Sequence, residues 1–97
     1  MDTEHELAKR RTHIDDIDRQ LVDLLNQRTN IAHQIGYIKK EARLPILELS
    51  REEKVLANVA ELNRGPLTAG ALHNIFAAIM KEMRKIQEDP MGPPRDH

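Results

Sequence analysis

No cysteine and no tryptophan occur among these 97 residues, and Tyr37 and Phe76 are the only aromatic side chains. The missing cysteines exclude disulfides and thiolate metal sites and fit a reducing compartment. The shortage of aromatics leaves Leu, Ile, Val, Ala and Met to build the core. An excess of either charge is also lacking: 15 Lys and Arg stand against 16 Asp and Glu, a formal −1. That balance argues against a nucleic-acid partner, which requires a net basic face. No apolar run approaches the ~20 residues of a membrane helix. The opening Met1-Asp2-Thr3-Glu4-His5-Glu6 is polar and acidic, unlike a secretory leader. The expectation is a soluble cytoplasmic protein with neither nucleic-acid nor membrane partner. His5, His13, His33, His73 and His97 show no zinc-like spacing, so no metal is expected. No nucleophile with an adjacent base, phosphate loop or cofactor motif is present either. No cofactor is expected, and any chemistry here needs no covalent step.

What remains is helical. Apolar residues Leu7, Ile14, Ile17, Leu21, Leu24, Leu25, Ile31, Ala32, Ile35 and Ile38 recur at helical spacing. No proline precedes Pro45, and Gly36 is the only poor helix former in the stretch. A first helix from Thr3 or Glu4 to about Ala42 follows, roughly 55–60 Å long, longer than a domain of this size is wide. Pro45 ends it. Ser50-Arg51-Glu52-Glu53 reads as a capping box opening a second helix from Arg51 to about Asn63, and Gly65-Pro66 stops that helix. Thr68 is an N-cap for a third helix ending near Glu88. Residues 1–88 thus form one all-α domain of three helices, and Asp89–His97, rich in proline and glycine, reads as a flexible tail. A chain this short has a marginal core of its own, which favours oligomerisation.

Three cations interrupt the first apolar stripe. Arg28 and Lys39 lie in its middle and point within about 20° of each other, roughly 16 Å apart along the axis. Arg11 lies at its edge, roughly 25 Å beyond Arg28 and too far to share one ligand within a single straight helix. A strict 3.6 repeat centres Arg10 instead, whereas a supercoiled 3.5 repeat puts Arg11 in register with Leu25, Ala32 and Lys39. Glu52 shares a face with Val55, Leu56 and Val59, and Gln87 with Leu72, Phe76, Ile79, Met80 and Met83. Inward charges need anionic partners. They either snorkel to water or pair with Glu52 as structural bridges, or together they line a polar pocket for a small anion.

Arg11-x-x-Ile14-Asp15-x-Ile17-Asp18-x-x-Leu21, Leu24-Leu25-x-x-Arg28 and Ile35-Gly36-x-x-Lys39 together resemble the all-α class of chorismate mutases. Pro45-Ile46, Arg51-Glu52, Ile75-Phe76 and Gln87 extend the resemblance over nearly the whole chain. It implies an intertwined homodimer that rearranges chorismate to prephenate on the route to phenylalanine and tyrosine. It also implies roles: Arg28 binds one substrate carboxylate and Arg11 of the partner subunit binds the other. Lys39 and Gln87 donate to the ether oxygen, Glu52 holds the ring hydroxyl with help from position 48, and Arg51 adds a weaker contact. Gln87 cannot titrate and so donates without an acidic pH. Glu48 stands where relatives usually carry aspartate, and Met83 where some have a carboxylate-binding serine. Alternatives on the same fold are an isochorismate-pyruvate lyase or an aminochorismate mutase. Association with another shikimate-pathway enzyme, or a non-catalytic helical dimerisation module, are further readings of the same residues.

Overall fold

A computed structural model describes residues 2–89 and contains three helices: α1 (Thr3–Ala42), α2 (Leu49–Leu62) and α3 (Ala69–Glu88). No strand occurs among the described residues, in agreement with the all-α expectation. Most of the tail expected from the sequence, Pro90–His97, lies outside the described residues.

Local chemistry explains most helix ends. Asp2 is extended and its carboxylate accepts from the His5 N–H, capping α1, whose first turn also carries Glu4 and Glu6 against the positive end of the helix dipole. At the other end Arg43 turns left-handed (φ 57°), and the N–H groups of Arg43 and Leu44 return to carbonyls of Lys39 and Lys40. Thr68 caps α3 as its sequence predicts, its hydroxyl accepting from the Ala71 N–H. Asn63 closes the turn after α2 with both ends of its amide: Nδ2 donates to the Leu67 carbonyl and Oδ1 accepts from the Gly65 N–H.

The start of α2 differs from the expectation. The helix begins at Leu49, two residues before Arg51, so Ser50 lies inside it and the Ser50–Glu53 capping box does not form. Glu48 is the N-cap residue, yet its side chain caps nothing; it reaches Lys39 on α1 instead. A charge-assisted contact across elements outcompetes a local cap.

α3 packs against both α1 and α2, while α1 and α2 do not pack on one another. α1 and the end of α3 approach each other closely at Gly36. A Cβ on Gly36 would lie 2.7 Å from both Cα and O of Gln87, so glycine is required for the helices to meet there. The core is small: Ala32, Met80 and Met83 are its buried hydrophobic residues among those described. Overall dimensions are 62 × 28 × 18 Å, with a radius of gyration of 17.4 Å, against about 12.5 Å for a compact domain of this length. The 40-residue α1 sets the long axis, and its first half extends past the other two helices with Leu7, Ile14, Ile17, Leu21, Leu24 and Leu25 exposed.

Candidate active site

A cavity of about 630 Å³ lies where the second half of α1, the start of α2 and the end of α3 converge. That volume suits a small metabolite. Its apolar wall comes from Leu24, Ile31, Ala32, Ile35, Val55, Met80 and Met83. Its polar groups are Gln27, Arg28, Lys39, Glu48, Arg51, Glu52, Arg84 and Gln87. Four cations and two carboxylates leave a surplus of two positive charges in a chain that is net negative.

Lys39 organises one end. Its side chain is only 11% exposed, so its charge requires partners. Three converge on the ammonium: the Ile46 carbonyl at 2.9 Å, Glu48 Oε1 at 2.8 Å and Gln87 Oε1 at 3.2 Å. An ammonium has three N–H groups, so each has an acceptor. Because lysine only donates, the contact also sets the Gln87 amide: its oxygen faces Lys39, and Nε2 is left to donate elsewhere. The Gly36 approach makes this possible by bringing the Gln87 backbone against α1, one turn before Lys39. Lys39, and more weakly Arg51, hold the Glu48 carboxyl below its ordinary range, against a small opposing effect of burial.

At the other end Glu52 Oε2 accepts from Arg84 Nη1 at 2.5 Å, with the two side chains 23% and 31% exposed. Two cations of the wall are thereby matched to its two carboxylates. Arg28, half-buried, and Arg51, exposed, make no ion pair among the described residues. The free positive charge of the cavity therefore resides in two guanidinium groups, which suit bidentate binding of carboxylates.

Six of the seven site residues expected from the sequence line this cavity: Arg28, Lys39, Glu48, Arg51, Glu52 and Gln87. Arg11 does not. It lies exposed on the protruding half of α1, roughly 25 Å along the axis from Arg28. Neighbouring Arg10 is turned to Glu6 at 3.9 Å, a solvent-facing pair, whereas Arg11 makes no ion pair among the described residues. Met83 is buried beside the Thr29 hydroxyl (3.9 Å to Sδ) and contributes apolar wall, not a hydrogen-bond donor.

Besides Gln27, whose amide donates to Asp23 Oδ2 at 2.8 Å, two groups were not anticipated. Arg84 sits in Lys81-Glu82-Met83-Arg84-Lys85, which reads as a solvated charge run; its position three residues before Gln87, on the same helical face, was the available signal. The Ile46 carbonyl is a backbone group and has no side-chain signature. Among the described residues no serine, threonine, cysteine, histidine or tyrosine lines the cavity, so what the arrangement offers is fixed charge and hydrogen-bond donors.

Comparison with known proteins agrees with this architecture. Residues 10–88 match the family chorismate mutase type II. The chain belongs to that family. It is 34% identical over 96 residues to a bifunctional chorismate mutase/prephenate dehydratase of Aquifex aeolicus, an alignment covering 91% of this chain and 26% of that protein. A protein of the same description from Neisseria gonorrhoeae is 33% identical over 81 residues, covering 84% of this chain and 22% of the relative. The chain therefore spans about a quarter of the length of these curated relatives. Among solved structures, a chorismate mutase (form II) from Thermus thermophilus superposes with a TM-score of 0.84 at 27% identity, covering 87% of this chain and 96% of that one. The resemblance drawn from the residue pattern of this type II chain was to the right family.

Proposed function

We propose that this chain catalyses the rearrangement of chorismate to prephenate, as a chorismate mutase of aromatic amino acid biosynthesis. The observation that carries this reading is the charge of the cavity: a surplus of two positive charges, held by guanidinium groups, in a wall that contains donors but, among the described residues, no hydroxyl or thiol nucleophile. Chorismate is a dianion whose rearrangement breaks a C–O bond and forms a C–C bond within one molecule. It requires no proton transfer, no covalent adduct and no second substrate.

The residues present suit that chemistry. Arg28 binds one carboxylate and holds the flexible side chain folded over the ring, which converts conformational search into a prepared geometry. Negative charge grows on the ether oxygen as the C–O bond lengthens. Gln87 Nε2 and Lys39 Nζ donate to that oxygen, Lys39 by exchanging one of its present acceptors for it. Donors fixed before the reaction stabilise the developing charge more than the ground state. Glu52 accepts from the ring hydroxyl, Glu48 keeps Lys39 in place and assists at the ring, and Arg51 adds a more distant positive charge at the mouth.

The second carboxylate calls for another cation, which the reading assigns to Arg11 of the partner subunit in a homodimer. The exposed apolar face of α1 supports such a dimer. The surface of the chain is 8040 Å², whereas a compact monomer of this mass exposes roughly 5,700 Å². The difference, roughly 2,300 Å², is of the size each partner buries in obligate dimers. Soluble, cytoplasmic operation fits the same reading.

Mixing the purified chain with chorismate and following loss of its ultraviolet absorbance tests the proposal. Turnover well above the uncatalysed rate, with prephenate identified by chromatography, is the expected result. A rate equal to background sinks it.

A further inference from the structure

Arg84 is the cavity cation for which the proposed reaction has no role. It lies on α3 and pairs across to Glu52 on α2, 32 positions away, at 2.5 Å. The pair is half-buried, its side chains 31% and 23% exposed. Its effect falls on the chemistry of Glu52, to which the mutase reading assigns the substituent on the substrate ring. With Oε2 engaged by the guanidinium, Oε1 is the acceptor left for a ligand, and the carboxylate charge is already balanced. A neutral hydroxyl loses nothing by this, because it only needs an acceptor. A protonated amine in the same place finds a neutralised carboxylate and a fixed guanidinium close by, and like charges brought together in a half-buried site repel.

We propose that Arg84 is a specificity-determining residue: by balancing the charge of Glu52 it selects ring substrates carrying a neutral hydroxyl over otherwise identical ones carrying a protonated amino group. The inference rests on the mutase reading and assigns to that site a discrimination which Glu52 alone does not provide. An unpaired carboxylate would favour the cationic donor, since a charge-assisted hydrogen bond is stronger than a neutral one.

The test compares kcat/KM at neutral pH for chorismate and for the analogue in which an amino group replaces the ring hydroxyl, using the wild type, Arg84→Met, Arg84→Gln and Arg84→Lys. The wild type prefers the hydroxyl substrate. In Arg84→Met and Arg84→Gln that preference falls about tenfold or more, equivalent to about 1.4 kcal/mol, whatever happens to the absolute rates. Arg84→Lys keeps it. Two neutral variants of different shape guard against one of them misfolding, and the helical circular-dichroism signal identifies a variant that has done so. Equal losses on both substrates would show Arg84 to be merely structural and overturn the inference. So would an Arg84→Lys chain that behaves like Arg84→Met. A wild type that turns over neither substrate refutes the mutase reading itself, a result distinguishable from the other two.

Discussion

Residues 3–26 and 27–42 belong to one unbroken helix, yet their surroundings differ. Every large apolar side chain of the first stretch is exposed, from Leu7 to Leu25. The second also leaves Ile31, Ile35 and Ile38 exposed, but it contains the buried positions Ala32 and Gly36 and lies against α3. The same contrast holds for their charges. Arg28 and Lys39 line a cavity built within one chain, and Arg11 faces solvent. An apolar periodicity that continues through both halves suits both to be covered. Only the second half finds part of its cover in the same chain, at Ala32 and Gly36. The proposed function accordingly assigns the first half to an interface, and the cation it carries to a site that another copy completes.

Substitutions can break that contrast at either end. The largest effect is expected in the second half: Arg28→Ala and Lys39→Ala each lose roughly 3 kcal/mol or more of transition-state stabilisation, read as a fall of at least a hundredfold in kcat/KM for chorismate. Near-normal kinetics in either variant would contradict the assigned roles. Arg11→Ala in the first half is expected to lose a similar factor although it lies outside the cavity of its own chain. An unchanged rate there would detach the protruding half from the chemistry.

Ile17→Glu combined with Leu21→Glu probes the apolar stripe rather than the cation. A buried unpaired charge costs several kcal/mol, enough to shift the proposed dimer to monomer at micromolar concentration, with activity lost in parallel. Sedimentation or light scattering reads the mass. A double variant with the wild-type mass and activity would remove the case for an interface on this stripe. Gly36→Ala tests the packed half. Its added methyl meets the Gln87 backbone at 2.7 Å, and overpacking of this kind costs typically ~1–3 kcal/mol. Tm and kcat should fall together, because the displaced residue is a proposed donor.

The smallest effect is one of pH. The carboxyl of Glu48 is held below its ordinary value of 4.5, first by the hydrogen bond from Lys39 and then by its charge. A depressed carboxylate pKa contributes stability above the unfolded value, and this is lost as pH falls through the folded one. The difference in Tm between the wild type and Glu48→Gln should therefore be greatest near neutrality and shrink below pH 4.5. A gap that widens on acidification would contradict the Lys39–Glu48 contact.

How much of this was legible in the sequence follows the same division. Continuous apolar spacing, Pro45 and Thr68 located the helices to within a residue or two, because helix period and capping act over a few neighbours. The start of α2 was misread because Ser50-Arg51-Glu52-Glu53 satisfies a local rule, whereas Glu48 obeys a distant one, its contact with Lys39. Inward cations at wrong positions in an apolar stripe revealed Arg28 and Lys39. Arg84 escaped because a charge among charges leaves no such anomaly; its partner Glu52 is supplied by another helix. The orientation of the Gln87 amide and the use of the Ile46 carbonyl follow from the tertiary approach of α3 to Gly36 and of the connecting loop to Lys39, which no local pattern encodes.

The central claim is that each active site takes its second-half cations from one chain and Arg11 from another. Complementation tests it most directly. Arg11→Ala and Arg28→Ala chains, each nearly inactive alone, are mixed and allowed to exchange, and mixed dimers are counted by native mass spectrometry. A mixed dimer would hold one intact site and one doubly damaged site, so equal mixing should restore about one quarter of wild-type activity. Activity that stays at the level of the parents while mixed dimers are present would contradict the shared site.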